Sequence, residues 1–235
     1  MIEITSSTEL PSIRQPLTLT TADNLKLVAE LASPVANKPA AVLLTLHPLP
    51  THGGFMDSHI LRKAANRLPA LADIAVLRFN TRGTTSPAGT SEGSFSEGIQ
   101  EQLDLEAALD FLESKDLGPI WLVGWSFGTE LAIKYGFDKN IAGAILLSPP
   151  LHRAGDEDII RWSGGGRKMI ALVPEHDDYL PPAAARQRFS VLPEAEIIAV
   201  DGAKHLWVGE SATKRVLNEI VREVNPAKYP LPETY

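Results

Sequence analysis

The stretch WLVGWSFGTELAIKYG, residues 121–136, joins an apolar strand-like run to a helix-like pattern closed by Gly136. At the junction stands Gly-x-Ser-x-Gly, from Gly124 through Ser126 to Gly128. A serine on so sharp a strand-to-helix turn is lifted above the edge of its sheet. The helix behind it offers free N–H groups and the positive end of its dipole to a developing negative charge. The flanking glycines fit a turn too crowded for a larger side chain. In an ordinary turn the same serine would be only a helix cap. The rest of the chain decides between these readings.

Outward from this stretch, strand-like and helix-like segments alternate. Residues 17–20 and 25–31 read as a hairpin around Ala22-Asp23-Asn24. The continuous apolar run 40–47 suits a strand buried on both faces. Helix 59–72 gathers Ile60, Leu61, Ala64, Ala65, Leu68 and Leu71 on one stripe, with Pro69 expected to bend it. Strand 74–79, a glycine-bearing loop 81–95 and an amphipathic helix 97–114 follow, the last with Leu103, Leu105, Leu109, Phe111 and Leu112 for burial. Further strands are expected at 119–125, 141–148, 168–174 and 195–200, with helices at 127–136, 182–189 and 211–224. This alternation predicts an α/β fold in one domain over 1–235: a mostly parallel sheet of about eight strands, helices on both faces and an antiparallel hairpin at the N-terminal edge. The Pro-rich tail 225–235 is expected to be extended or without fixed structure.

Composition narrows the function. The chain has 235 residues, 44% apolar, with a net charge of −7. That balance argues against a general nucleic-acid or anionic-membrane surface. No apolar run approaches the roughly 18 residues needed to span a bilayer. The opening MIEITSSTELPSIRQ has no basic segment followed by an apolar one, so it does not read as a signal peptide. With no cysteine, disulfides and thiolate nucleophiles are excluded. A cytoplasmic location is expected.

A serine nucleophile needs a base, and the base an orienting acid. In this fold type the chain order is serine, acid, histidine. Of the six histidines, only His176 and His205 lie far enough downstream. His205 follows the strand 195–200 in the loop DGAKHLW, just before the last helix. For the acid, VPEHDDYLPP (173–182) offers adjacent Asp177 and Asp178. Spacing favours Asp177, with Asp178 as runner-up, and either would also serve as a helix cap. An oxyanion hole needs two backbone donors. Phe127, after the nucleophile, supplies one. The loop after strand 40–47 reads His47-Pro48-Leu49-Pro50, so Leu49 carries the only N–H between two prolines.

Together these residues resemble the α/β-hydrolase superfamily over almost the whole chain. The likeness is greatest to small bacterial hydrolases with HPxPxxGG after the third strand, here His47 to Gly54. RFNTRG (78–83), the segment 91–112, GWSFG, HDDYLPP and GAKH match that group in order. Pro174 stands where the group usually has glycine, and the loop TTSPAGTSEGSF is longer than usual. The resemblance implies Ser126 as nucleophile, Asp177 as acid, His205 as base, and Leu49 and Phe127 as oxyanion donors. It implies hydrolysis of a small-molecule acyl substrate without a cofactor. A carboxylic ester is the leading expectation. A thioester or amide fits the same machinery, and a non-catalytic binding role is the competing class.

Other features carry less. His47, His52 and His59 match no compact metal-ligand spacing, and His47 is expected to hold its loop by hydrogen bonds. Gly164-Gly165-Gly166 lacks the ending of a phosphate-binding loop and reads as a flexible connection. Arg78 and Arg82 are expected to be structural. Trp125, Phe55, Phe95 and Trp207 are candidates for an acyl pocket. Only about twenty residues separate Ser148 from Lys168, too few for a helical cap. The site should therefore be open, set by loops 49–58, 84–95 and 150–165.

Overall fold

A computed structural model describes residues 3–235. In chain order the elements are β1 (Ile13–Thr20), β2 (Lys26–Ser33), β3 (Ala41–Leu46), α1 (His59–Ala72), β4 (Ile74–Phe79), β5 (Thr85–Ser86) and β6 (Gly89–Thr90). Then come α2 (Glu101–Glu113), β7 (Ile120–Trp125), α3 (Phe127–Gly136), β8 (Gly143–Leu147) and α4 (Asp156–Ile160). Last are β9 (Lys168–His176), α5 (Pro182–Arg188), β10 (Glu196–Lys204) and α6 (Glu210–Val224). Eight strands form one sheet in the order β1-β2-β4-β3-β7-β8-β9-β10. The β1–β2 and β2–β4 pairs are antiparallel and every other pair is parallel, so β2 alone runs against the rest.

The sheet is buried on both sides, as continuous apolar runs in parallel strands require. One core cluster joins it to α2, α3, α4 and α5 through Leu105, Leu109, Leu131, Ile133, Ile159 and Ala185. The other joins it to α1 and α6 through Ile60, Ala64, Leu68, Val216, Leu217 and Ile220. Strand alternation sorts the side chains of β7: Ile120 and Leu122 go to the first cluster, Trp121, Val123 and Trp125 to the second. Trp125 is thereby committed to core rather than to a pocket.

Helix α1 runs unbroken through Pro69. The missing Pro69 N–H frees the Ala65 carbonyl, and the Arg14 guanidinium on β1 donates to it at 3.0 Å. Three segments differ from expectation. Loop 81–95 holds the two-stranded β5–β6 hairpin and folds back on β2, where Glu92 N–H donates to Lys26 O at 2.9 Å and Val28 N–H to Ser91 Oγ at 2.9 Å. The β8–β9 connection contains the short helix α4. The Pro-rich tail is docked: Leu231 is buried, its N–H donates to Asn218 Oδ1 at 2.8 Å, and Thr234 pairs with Glu3. An apolar contact and hydrogen bonds to distant parts of the chain hold it together, and no periodicity announces such contacts in a sequence.

Candidate active site

Register places the candidate residues before any side chain is considered. β3 pairs with β7 so that Leu46 lies beside Gly124, which sets the Leu49 loop next to the Ser126 turn. β9 pairs with β10 so that His176 lies beside Lys204, and the residues that follow are Asp177 and His205. Every candidate therefore emerges at the C-terminal edge of the parallel sheet, where ligands bind in open α/β sheets.

Ser126 caps α3 with φ 53° and ψ −116°. A non-glycine residue held at positive φ costs about 1–3 kcal/mol, which the surrounding packing must sustain. Its N–H donates to Leu147 O at 2.9 Å. The two glycines are steric requirements. A Cβ on Gly128 would lie 2.1 Å from Leu46 O, and one on Gly124 2.5 Å from Gly128 O. Strand β3, β7 and helix α3 touch through bare backbone at these points.

Ser126 Oγ lies 2.9 Å from His205 Nε2, and His205 Nδ1 lies 2.9 Å from Asp177 Oδ2. The other Asp177 oxygen accepts the N–H groups of Tyr179 at 2.9 Å and Leu180 at 3.1 Å. Burial raises the carboxyl's pKa, but the His205 hydrogen bond and these two amides outweigh it and hold Asp177 below the usual carboxylate range. An ionised carboxylate only accepts, so Nδ1 of the neutral imidazole carries the proton and Nε2 faces the serine hydroxyl as acceptor. Asp178, the runner-up, is exposed and makes none of these contacts.

His47 is buried beneath the Leu49 loop. Its Nδ1–H donates to Pro48 O at 2.7 Å, and its Nε2 accepts Thr81 N–H at 3.1 Å. In a planar trans peptide the C=O and N–H point opposite ways. With the Pro48 carbonyl turned to the imidazole, the Leu49 N–H points away from it. Burial pushes His47 down to about 4, against the opposing pull of the Pro48 carbonyl. The unfolded chain therefore binds a proton at His47 between pH 6.5 and about 4 that the folded chain does not. Stability falls as pH drops through that window, by about 3 kcal/mol in all from this group. Urea unfolding at pH 7 and pH 4.5 should show a steeper loss for the native chain than for His47→Gln.

The cleft above Ser126 has a volume of about 340 Å³. Pro48, Leu49 and His52 line one side, Pro150, His152 and Arg153 another, and Tyr179 and Leu206 the rest. The Tyr179 ring stands edge-on to His205 with centroids 4.6 Å apart. Loops 49–58 and 150–165 contribute as expected, whereas loop 84–95 is tied back to β2 and does not line this cleft. Of the four aromatic candidates, Trp125 and Trp207 are buried in the α1–α6 core. Phe95 packs edge-on against Phe127, centroids 5.4 Å apart, and neither Phe95 nor Phe55 lines the cleft. Arg78 is buried and paired with Asp57 and Glu30, and Arg82 with Asp104 and Asp23, so both arginines brace loops. Sequence reasoning missed His152, Arg153, Tyr179 and Leu206, whose only signal was their place just past a strand end.

Residues 42–171 match the alpha/beta hydrolase family, over more than half of the chain, and the protein belongs to that family. An uncharacterized protein of Rickettsia prowazekii (strain Madrid E) is 32% identical over 118 residues, 48% of this chain and 47% of that one. The match thus spans about half the length of that relative. Among solved structures, a serine hydrolase without a lid from Xanthomonas campestris is similar with TM-score 0.76 and 23% identity, covering 96% of this chain and 100% of that one. An alpha-beta serine hydrolase homologue from Coxiella burnetii gives 0.72 and 22%, covering 88% and 96%. The Pyrococcus furiosus esterase Pf2001 gives 0.69 and 19%, covering 90% and 92%. These likenesses extend the shared fold across nearly the whole chain. Among the described residues, no helix is long and apolar enough to cross a membrane.

Proposed function

We propose that the protein is a serine hydrolase that cleaves small carboxylic esters through an acyl-enzyme. The observation that carries this reading is the hydrogen-bonded line from Ser126 through His205 to Asp177, with the serine held at positive φ at a helix N-terminus. His205 takes the Ser126 proton as Oγ attacks the ester carbonyl, then gives it to the departing alcohol. Asp177 holds the tautomer that makes Nε2 the base and stabilises the imidazolium that forms. The Leu49 and Phe127 amides receive the oxyanion of the tetrahedral intermediate. Water enters by the same base and releases the acid.

Support for the oxyanion assignment lies in the backbone. Phe127 is the first residue of α3, where N–H groups have no intrahelical acceptor. Leu49 stands between two prolines with its peptide oriented by His47. The short β8–β9 connection leaves the cleft open, which suits a small acyl group. A panel of p-nitrophenyl esters of graded acyl length, with matched thioester and anilide, tests the reading beside a Ser126→Ala control. Turnover highest on short-chain esters and lost in the control is expected. Turnover confined to the thioester or anilide would overturn the ester assignment.

A further inference from the structure

Two hydrogen bonds outside the Ser126–His205–Asp177 line converge on one atom, the backbone carbonyl oxygen of His205. The Trp125 indole N–H donates to it at 3.2 Å and the Ser148 hydroxyl at 3.1 Å. Both side chains are buried, and they stand at the ends of the adjacent strands β7 and β8. A carbonyl oxygen has two lone pairs, so this one is filled. The same turn is fixed twice more: Trp207 N–H returns to Lys204 O at 2.8 Å, and His59 Nε2 lies 3.1 Å from Trp207 O. The His59 ring in turn stands edge-on to the Trp125 indole, centroids 5.1 Å apart.

We propose that Trp125 and Ser148 are positioning residues that fix the backbone of His205 against the strand ending in Ser126. This rests on the serine-hydrolase reading. His205 follows β10, an edge strand whose register with β9 slips between Val200 and Lys204. Strands β8 and β9 lie between it and β7. The bond to Asp177 does not by itself tie the imidazole to β7, because Asp177 is held by the amides of its own loop after β9, with β8 between it and the strand of Ser126, which leaves the approach of His205 to Ser126 free. The two donors close that freedom. Trp125 immediately precedes Ser126, so its indole ties the base to the nucleophile's own strand. Ser148 adopts φ 51°, a left-handed conformation that favours glycine or asparagine. That conformation turns the chain out of β8 at the point where its hydroxyl reaches the His205 carbonyl. Neither residue lines the cleft, so substrate contacts do not depend on them.

The test uses the full chain with Trp125→Phe, Ser148→Ala and the double variant. Phenylalanine keeps an aromatic ring in the core and removes only the donor and part of the volume. Each single change should lower kcat by about tenfold and the double by about a hundredfold, with KM within about twofold, as expected when a reacting group drifts by a fraction of an ångström. The His205 Nδ1 proton, visible by NMR without turnover, should broaden in the double variant. Folded variants with native kcat and an unchanged Nδ1 signal would overturn the proposal, as would a loss confined to KM. If Trp125→Phe does not fold, Ser148→Ala decides alone, since it removes one oxygen atom, and a native kcat there rejects the clamp. A native chain without Ser126-dependent turnover would instead reject the hydrolase reading, and the Nδ1 signal would still judge the clamp.

Discussion

Ser126→Ala and His205→Gln are each expected to lower kcat by about 10⁶-fold, and the double variant by no more than either alone. The serine hydroxyl is a weak nucleophile at neutral pH, and only proton removal in step with attack makes it competent. Ser126 Oγ has His205 Nε2 at 2.9 Å for that transfer. Removing either member removes the same event, so the losses do not add. In the proposed mechanism, what remains over the uncatalysed rate comes from binding and from the Leu49 and Phe127 amides. The measurement is pre-steady-state and steady-state turnover of a p-nitrophenyl ester by the three variants. Additive losses would show that the two residues act in separate steps.

Asp177→Asn is expected to cost about 10⁴-fold in kcat, and Asp178→Asn less than about twofold. The hydrogen bonds around Asp177 explain why a near-isosteric change is so damaging. The Tyr179 and Leu180 amides claim Oδ1. In the asparagine variant they keep the carbonyl oxygen, and the amide NH₂ is left facing His205 Nδ1. Nδ1 must then accept, the proton moves to Nε2, and Ser126 loses its base. Asp178 is exposed and makes no such contact, so its replacement leaves the imidazole as it was. Stability follows a parallel rule. Because the Asp177 pKa is depressed on folding, its pairing stabilises the protein above the unfolded carboxylate range, and that contribution is lost as pH falls through the depressed value. Asp177→Asn should therefore flatten the acid limb of the stability profile. A larger kinetic loss in Asp178→Asn would reverse the assignment.

Strong periodicity made much of the fold legible. Helix His59–Ala72, strand Ile74–Phe79 and helix Phe127–Gly136 are expressed in the sequence by apolar spacing and by punctuation at their ends. The meeting of Ser126, Asp177, His205 and Leu49 at one place was legible for a different reason: each is tied to a strand end, and a parallel sheet brings those ends to one edge. The β5–β6 hairpin was not legible, because two strands of two residues carry no period. Trp125 was misplaced because the turn at Gly124–Ser126 hides which face the last strand residue takes. Counting by twos from Val123, which faces α1 and α6, would have sent it to the core. Tyr179, His152 and Arg153 meet over the cleft through loops whose paths depend on tertiary hydrogen bonds, such as Glu130 Oε1 accepting His152 N–H at 2.8 Å.

The most direct test of the central claim is covalent labelling by a fluorophosphonate probe, read by intact mass and peptide mapping. The native chain should gain one adduct, on Ser126, and the folded Ser126→Ala variant none. A folded native chain that takes up no probe, or takes it up at another residue, would contradict the assignment of Ser126 as nucleophile.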